Sequence, residues 1–362
     1  EIGVRLVGSE MCIRDRRRGY KVVCNTAAGR HRYMNLLIPY VLDNDIVDRY
    51  DIWVNTLNPV DLRFFELLAQ KYSKIKLVYI EDNKFSGLKS LFEFYKYCTE
   101  EDTIYVKLDD DLIWFEPDAI TRMVDFRIDN PDYFIVSPLV INNCSGTYLL
   151  QNGGKIRLKK YLSPTMTWES AWCSATFAYQ LLDWFQKKVR DDSYKELHMG
   201  KKPIGMLRFS INMIVWFGAT FKEFGGVCPK GENDEEYFSV IKPTQLGVAN
   251  CINADVLVAH FAFTYQREDL DKTDMLLKYE NLIRSKKDKV CSLYEEIKCL
   301  TLMAKENVNI EIPHYDDCRS KKNGFREFLR TRRIPGTFYD LGRIYCRLKE
   351  HKIEFDDILF SK

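Results

Sequence analysis

Hydrophobic and polar positions in the first third of the chain fall into blocks whose period changes from two to about three and a half. Tyr20-Lys21-Val22-Val23-Cys24-Asn25 has the length and apolar density of a buried strand, and the turn-prone Thr26-Ala27-Ala28-Gly29-Arg30 follows it. Met34, Leu36, Leu37 and Val41 then recur at helical spacing. Asp51-Ile52-Trp53-Val54-Asn55 predicts a second strand, 61–72 a helix, 75–80 a third strand, 87–98 a helix, and Thr103-Ile104-Tyr105-Val106-Lys107-Leu108 a fourth strand. Strands alternating with helices predict an α/β fold built on a mostly parallel sheet flanked by helices. In such a sheet ligands bind at the carboxyl ends of the strands.

One of those ends carries Asp109, Asp110 and Asp111, with Leu112, Ile113 and Trp114 directly after. A strand ending in Asp-x-Asp places two acidic side chains on the same side of the backbone, so Asp109 and Asp111 converge and Asp110 points the other way. Paired carboxylates of this kind suit Mg²⁺ or Mn²⁺, which commonly share their remaining positions with substrate phosphates. The bland reading is a solvated turn or a helix cap. Against it stand the apolar residues that follow and the mutual repulsion of three adjacent charges.

Composition narrows the field. The chain has 362 residues, 46% of them hydrophobic, and a net charge of +2, enough for one large domain plus an appendage and no reason to expect nucleic acid as a partner. Eleven cysteines without C-x-x-C spacing favour reduced thiols, although an odd count leaves a disulfide open. No run of about 18 apolar residues predicts a membrane span. Glu1 to Arg16 reads as a translated sequencing adapter and is set aside from fold reasoning. The localisation expected on these grounds is cytoplasmic, with a lost signal or anchor left open. The sequon Asn143-Cys144-Ser145 has meaning only for a secreted chain.

Several chemistries lack their motifs: there is no G-x-G-x-x-G after the first strand, no G-x-x-x-x-G-K-[ST] and no H-E-x-x-H. A phosphatase using an Asp-x-Asp pair would be expected to carry it after an early strand rather than the fourth. The order of features over about 20–284, with Lys107-Leu108-Asp109-Asp110-Asp111 followed by an acidic motif and a late histidine, resembles the GT-A-fold glycosyltransferases. That resemblance implies a Rossmann-like GT-A domain over 17–285; the segment 286–362 lies outside it and reads, from its own periodicity, as a helical C-terminal extension. It further implies transfer of a sugar from a nucleotide-diphosphate donor to a glycan, lipid-linked or protein acceptor.

By the same resemblance Asp111 binds the metal, and Asp109 reaches the metal or the ribose. His260, closing Val256-Leu257-Val258-Ala259, is the third ligand. Read from its apolar neighbours alone, a lone histidine is more often a hydrogen-bonded core residue than a ligand. Gly231-Glu232-Asn233-Asp234-Glu235-Glu236-Tyr237 looks like the acidic motif of inverting members, with Asp234 or Glu235 as the base; the plain alternative is an acidic first turn complementing a helix dipole. Thr26 and Arg30 are expected near the base and ribose, Lys89 near the phosphates, and Arg267 at the diphosphate or in a surface salt bridge. Trp168, Trp172, Asn212 and Trp216 are candidates for an acceptor pocket. The extension has Tyr294, Ile297 and Leu300 at helical spacing and a basic stretch at Arg326, Arg330, Arg332 and Arg333. Two other readings share the aspartates: a metal-dependent phosphohydrolase or nucleotidyltransferase, and a carbohydrate-binding domain without turnover.

Overall fold

The computed structural model describes residues 17–80, 92–158, 161–164, 170–205, 207–229, 232–306 and 358–359. Its strands are β1 Lys21–Ala28, β2 Arg49–Val54, β3 Ile75–Val78, β4 Thr103–Leu108, β5 Leu112–Phe115, β6 Val136–Ile141, β7 Arg157–Leu158, β8 Lys201–Gly205, β9 Met213–Phe217, β10 Asn250–His260 and β11 Ile358–Leu359. Nine of them form one sheet in the order β3-β2-β1-β4-β9-β6-β10-β5, with β8 on β10. β1, β2, β3, β4, β6 and β10 run one way, whereas β5, β8 and β9 pair antiparallel to their neighbours. The result is the mostly parallel α/β sheet that the alternation predicts.

Both sheet faces are covered, and the period of two sorts the strands between them. Val22 and Cys24, Ile104, Val106 and Leu108, and Met213 and Val215 enter one core with Phe64, Phe65 and Leu68 of the helix Pro59–Lys71. Val23, Tyr105, Ile214 and Trp216 enter the opposite one with Trp53, Phe94, Phe221 and Phe238. The helix Pro59–Lys71 starts where it does because Asn58 accepts from Val60 N–H and Asp61 N–H and a proline stands in the first turn. A third cluster packs Trp114 edge-on to Phe185 and Tyr194, at ring distances of 5.1 and 5.5 Å. Burying side chains of this size stabilises the fold by roughly 1.5–3 kcal/mol each.

Three expectations change. β1 runs to Ala28 rather than stopping at Asn25, so Thr26 lies inside a central strand instead of in the loop. The helix expected over 87–98 is described only from Phe92, and there it holds one 3₁₀ turn, Phe94–Tyr97. The helix Lys289–Glu306, which the sequence reading sets beyond the main domain, packs on the helices His31–Asp43 and Pro59–Lys71, with Thr301 Oγ1 2.7 Å from Asn35 Oδ1. The adapter-like 1–16 and the basic stretch with Arg326, Arg330, Arg332 and Arg333 lie outside the described residues. Among the described residues no helix is long and apolar enough to cross a membrane. Among the described residues seven cysteines carry no disulfide and Cys173 is disulfide-bonded, the possibility that the odd count leaves open.

Candidate active site

The aspartate triplet is a turn and not the continuation of β4. Asp109 N–H donates to Asn212 O at 2.8 Å, and Leu112 N–H returns to Asp109 O at 3.3 Å. Strand alternation therefore stops at Leu108, which overturns the convergence of Asp109 with Asp111. Asp110 and Asp111 instead share Arg30: its Nε lies 3.0 Å from Asp110 Oδ2, its Nη2 bonds Asp110 Oδ1, and the same Nη2 is 3.2 Å from Asp111 Oδ2. Gly29 N–H completes the clasp on Asp110 at 3.1 Å. Burial foremost, and then the charge of Asp111, raises the Asp110 carboxyl above its ordinary value despite Arg30.

β10 brings His260 to the turn. His260 pairs with Leu112 across the β10–β5 ladder, and Phe261 N–H donates to Asp111 O at 2.9 Å. This registers His260 Nε2 3.3 Å from Asp111 Oδ1, both side chains 3% exposed. Arg267, on the helix Thr264–Leu270, places Nη2 2.9 Å from Asp111 Oδ2. Burial alone would raise the Asp111 carboxyl, but His260, Arg30 and Arg267 overrule it and hold it far below the usual carboxylate range.

His260 Nδ1 lies 3.1 Å from Asn142 O, which can only accept, so Nδ1 carries a proton. In a neutral imidazole Nε2 then presents a lone pair to a carboxylate oxygen, an arrangement that needs a cation or a further proton between the two atoms. Asp111 and His260 are the residues that would hold a Mg²⁺ or Mn²⁺ ion here, as a two-residue donor set. Asp109 does not join them, and among the described residues no three His, Cys, Asp or Glu side chains gather as a metal group.

Asp109 belongs to a second cluster. Its Oδ1 lies 2.5 Å from Lys107 Nζ, and its Oδ2 accepts from Asn212 Nδ2 at 3.0 Å. Asn212 Oδ1 accepts from Asn143 Nδ2 at 2.8 Å, and Asn143 Oδ1 caps the helix Cys144–Asn152, so the sequon asparagine is buried and fully engaged. Gly146 lets that helix approach β6, since a Cβ there would stand 2.0 Å from Val140 O. The acidic motif is nearby electrostatically. Asp234 accepts from Tyr95 Oη at 3.1 Å; its carboxyl is raised by burial and by Asp109, against the pull of Lys107.

Glu235 is 3.1 Å from Arg208 Nε and 15% exposed. Burial first, with the charge of Asp234, pushes its carboxyl up to about 7 despite Arg208 and Lys107. Asn233 caps the turn Asp234–Glu236, which runs into a π-helical turn at Tyr237–Ile241. The helix-dipole reading of the motif is therefore realised, and it coexists with a titratable carboxyl suited to proton transfer.

The other candidates divide. Thr26 is fully buried, with Oγ1 2.8 Å from Tyr50 Oη, and cannot reach a ligand. Trp216 is likewise core, stacked on Tyr105 and Phe221 with Nε1 donating to Cys98 O. Asn212 is 4% exposed and supports Asp109 rather than lining a pocket. Trp172 is partly buried and meets Tyr265 edge-on at 5.0 Å, beside the helix that carries Arg267. Lys89 and Trp168 lie outside the described residues. Sequence reading passed over Lys107, Asn142, Asn143 and Arg208; only Lys107, a charge inside an apolar strand, gave a visible signal.

No protein-family model matches the chain, and no curated protein matches it. Among solved structures it is similar to a CMP:2-keto-3-deoxy-manno-octonic acid synthetase complexed with CTP, with 13% identity over 72% of this chain and 99% of that one and a TM-score of 0.38. It is also similar to a 4-diphosphocytidyl-2C-methyl-D-erythritol synthase from Anaerococcus prevotii, with 11% identity over 72% and 100% of the two chains and a TM-score of 0.38. A third is the inositol-1-phosphate CTP transferase from T. maritima, with 11% identity over 72% and 97% and a TM-score of 0.35. All three are named for CTP, CMP or a diphosphocytidyl compound, and likenesses this distant carry no chemistry over to the present chain.

Proposed function

We propose that the chain is a nucleotide-dependent transferase that moves a sugar from a nucleotide-diphosphate donor to an acceptor hydroxyl, with inversion. Two observations support it: the pairing of Asp111 with His260 at 3.3 Å at the carboxyl end of β4, and an acidic turn, linked to the aspartate triplet through the charge of Asp109, whose Glu235 carboxyl is pushed up to about 7. A bound divalent cation would supply charge stabilisation to a departing diphosphate. Arg30 and Arg267 present guanidinium donors beside it, and Arg stacks and forks onto phosphate oxygens. Glu235, or Asp234 beside it, would take the proton of the acceptor hydroxyl.

Nucleotidyl transfer is the second reading. It needs the same Asp111 and His260 pair and the same arginines but no base for a sugar acceptor. The separating experiment incubates the chain with Mn²⁺ and either UDP-, GDP- and CMP-sugars or CTP with sugar acids and polyol phosphates. Release of nucleotide from a sugar donor, lost in Asp111→Asn, supports glycosyl transfer. Release of pyrophosphate from CTP alone transfers support to the second reading, and neither release sinks both.

A further inference from the structure

Asp111 is neutralised by two arginines that hold it in different ways. Arg30 is committed elsewhere, bound through Nε and Nη2 to Asp110, with its 3.2 Å contact to Asp111 as an addition. Among the described residues Arg267 has no carboxylate partner besides Asp111. Its Nη2 is shared between Asp111 Oδ2 at 2.9 Å and Ala262 O at 3.0 Å, while its Nε is buried without a hydrogen-bond partner. A buried N–H left unpaired costs free energy, so the charge of Asp111 is what keeps Arg267 in this position.

We propose that Arg267 is an exchangeable counter-ion: without ligands its guanidinium neutralises Asp111, and a divalent cation with a di- or triphosphate displaces and recruits it together, so that the two ligands bind as a coupled pair. This rests on the reading of Asp111 and His260 as the cation's protein donors. A cation arriving alone meets a guanidinium on the other oxygen of the same carboxylate and is repelled. A phosphate group arriving with it offers Arg267 an anion that matches its planar fork, including the donor now unpaired. Linkage makes the effect reciprocal: the cation strengthens phosphate binding by the factor by which phosphate strengthens cation binding.

The test uses the full chain and two probes, Mn²⁺ alone and inorganic pyrophosphate with or without Mg²⁺, read by electron paramagnetic resonance and titration calorimetry. Arg267→Met, in which Asp111 keeps Arg30 and His260, is expected to bind Mn²⁺ alone about ten-fold more tightly than the parent, because one facing positive charge is gone. Arg267→Lys is expected to stay near the parent. Mg²⁺ is expected to strengthen pyrophosphate binding more in the parent than in Arg267→Met. Equal Mn²⁺ affinity in the parent and a folded Arg267→Met overturns the proposal. Adding Asp111→Asn to Arg267→Met separates the causes: Mn²⁺ binding that survives places the cation elsewhere and removes the underlying reading as well. Binding that needs Asp111 but ignores residue 267 removes the counter-ion role alone.

Discussion

His260 Nε2 stands 3.3 Å from Asp111 Oδ1 while His260 Nδ1 is committed to the carbonyl of Asn142 at 3.1 Å. That carbonyl is aimed by an unusual backbone: Asn142 sits at φ 60°, a left-handed conformation that asparagine tolerates and β-branched residues resist. Asn142→Val should therefore release the imidazole and weaken Mn²⁺ binding by about 10- to 100-fold, the usual effect of losing a residue that orients a ligand. Asn142→Gly keeps both the carbonyl and the conformation, and should bind more like the parent. Equal affinities for the valine and glycine variants, measured by the free Mn²⁺ resonance, would contradict the orienting role.

Glu235 sets a pH dependence with a definite sign. Its carboxyl is raised from an ordinary 4.5 to about 7, so turnover should rise as pH increases through about 7 and the base is freed. Stability moves the opposite way: the folded chain retains a proton that the unfolded chain has lost, so this contribution is full below pH 4.5 and declines as pH rises through 7. Glu235→Gln should abolish the rate inflection and flatten that part of the melting-temperature profile. If the inflection persists there and vanishes in Asp234→Asn, the base is Asp234.

Asp109 should behave as a structural partner more than as a cation ligand. Asp109→Asn leaves the Asp111 and His260 pair intact, so its Mn²⁺ affinity should fall far less than that of Asp111→Asn. It also leaves Lys107, 7% exposed, without its carboxylate. Breaking a fully buried pair costs 3–5 kcal/mol, and because Asp109 is 30% exposed a loss of roughly 1–3 kcal/mol in urea unfolding is expected. An equal loss of cation affinity in both variants would restore Asp109 as a ligand.

The two described tryptophans of the proposed acceptor pocket should separate cleanly. Trp216→Ala should cost about 3–5 kcal/mol of stability, as a fully buried aromatic does. Trp172→Ala, at a partly exposed ring beside the helix of Arg267, should leave the urea midpoint nearly unchanged and raise the acceptor KM. A Trp172→Ala protein with normal acceptor kinetics removes that residue from the pocket.

Much of the fold was legible because β1, β2 and β4 are buried on both faces and strands alternate with helices, and the edges of β4 were read without error. The triplet was misread for a physical reason. Period-two alternation holds only while the ladder lasts, and the turn tendency of three aspartates, which was weighed as the plainer alternative, is what ends β4 at Leu108. His260 was found through its position after the acidic motif, whereas Asn142, which aims it, contributes a backbone carbonyl that no side-chain pattern reveals. Thr26 was misplaced because Ala27 and Ala28 suit a turn as well as a strand, and the parallel pairing of both with β2 decided between them.

The packing of the helix Lys289–Glu306 on the first two helices has a consequence for how the chain is made. Ile297, Leu300 and Ala304 share a core with Met34, Phe64 and Leu68, residues synthesised more than two hundred positions earlier. At roughly 5–20 residues per second, the opening helices wait tens of seconds or less on the ribosome with that apolar flank uncovered. Folding of the N-terminal half is therefore gated by arrival of a late segment, and such long-range closure slows folding. A chain ended at 285 should expose this flank permanently and self-associate, even though it retains every residue of the proposed site.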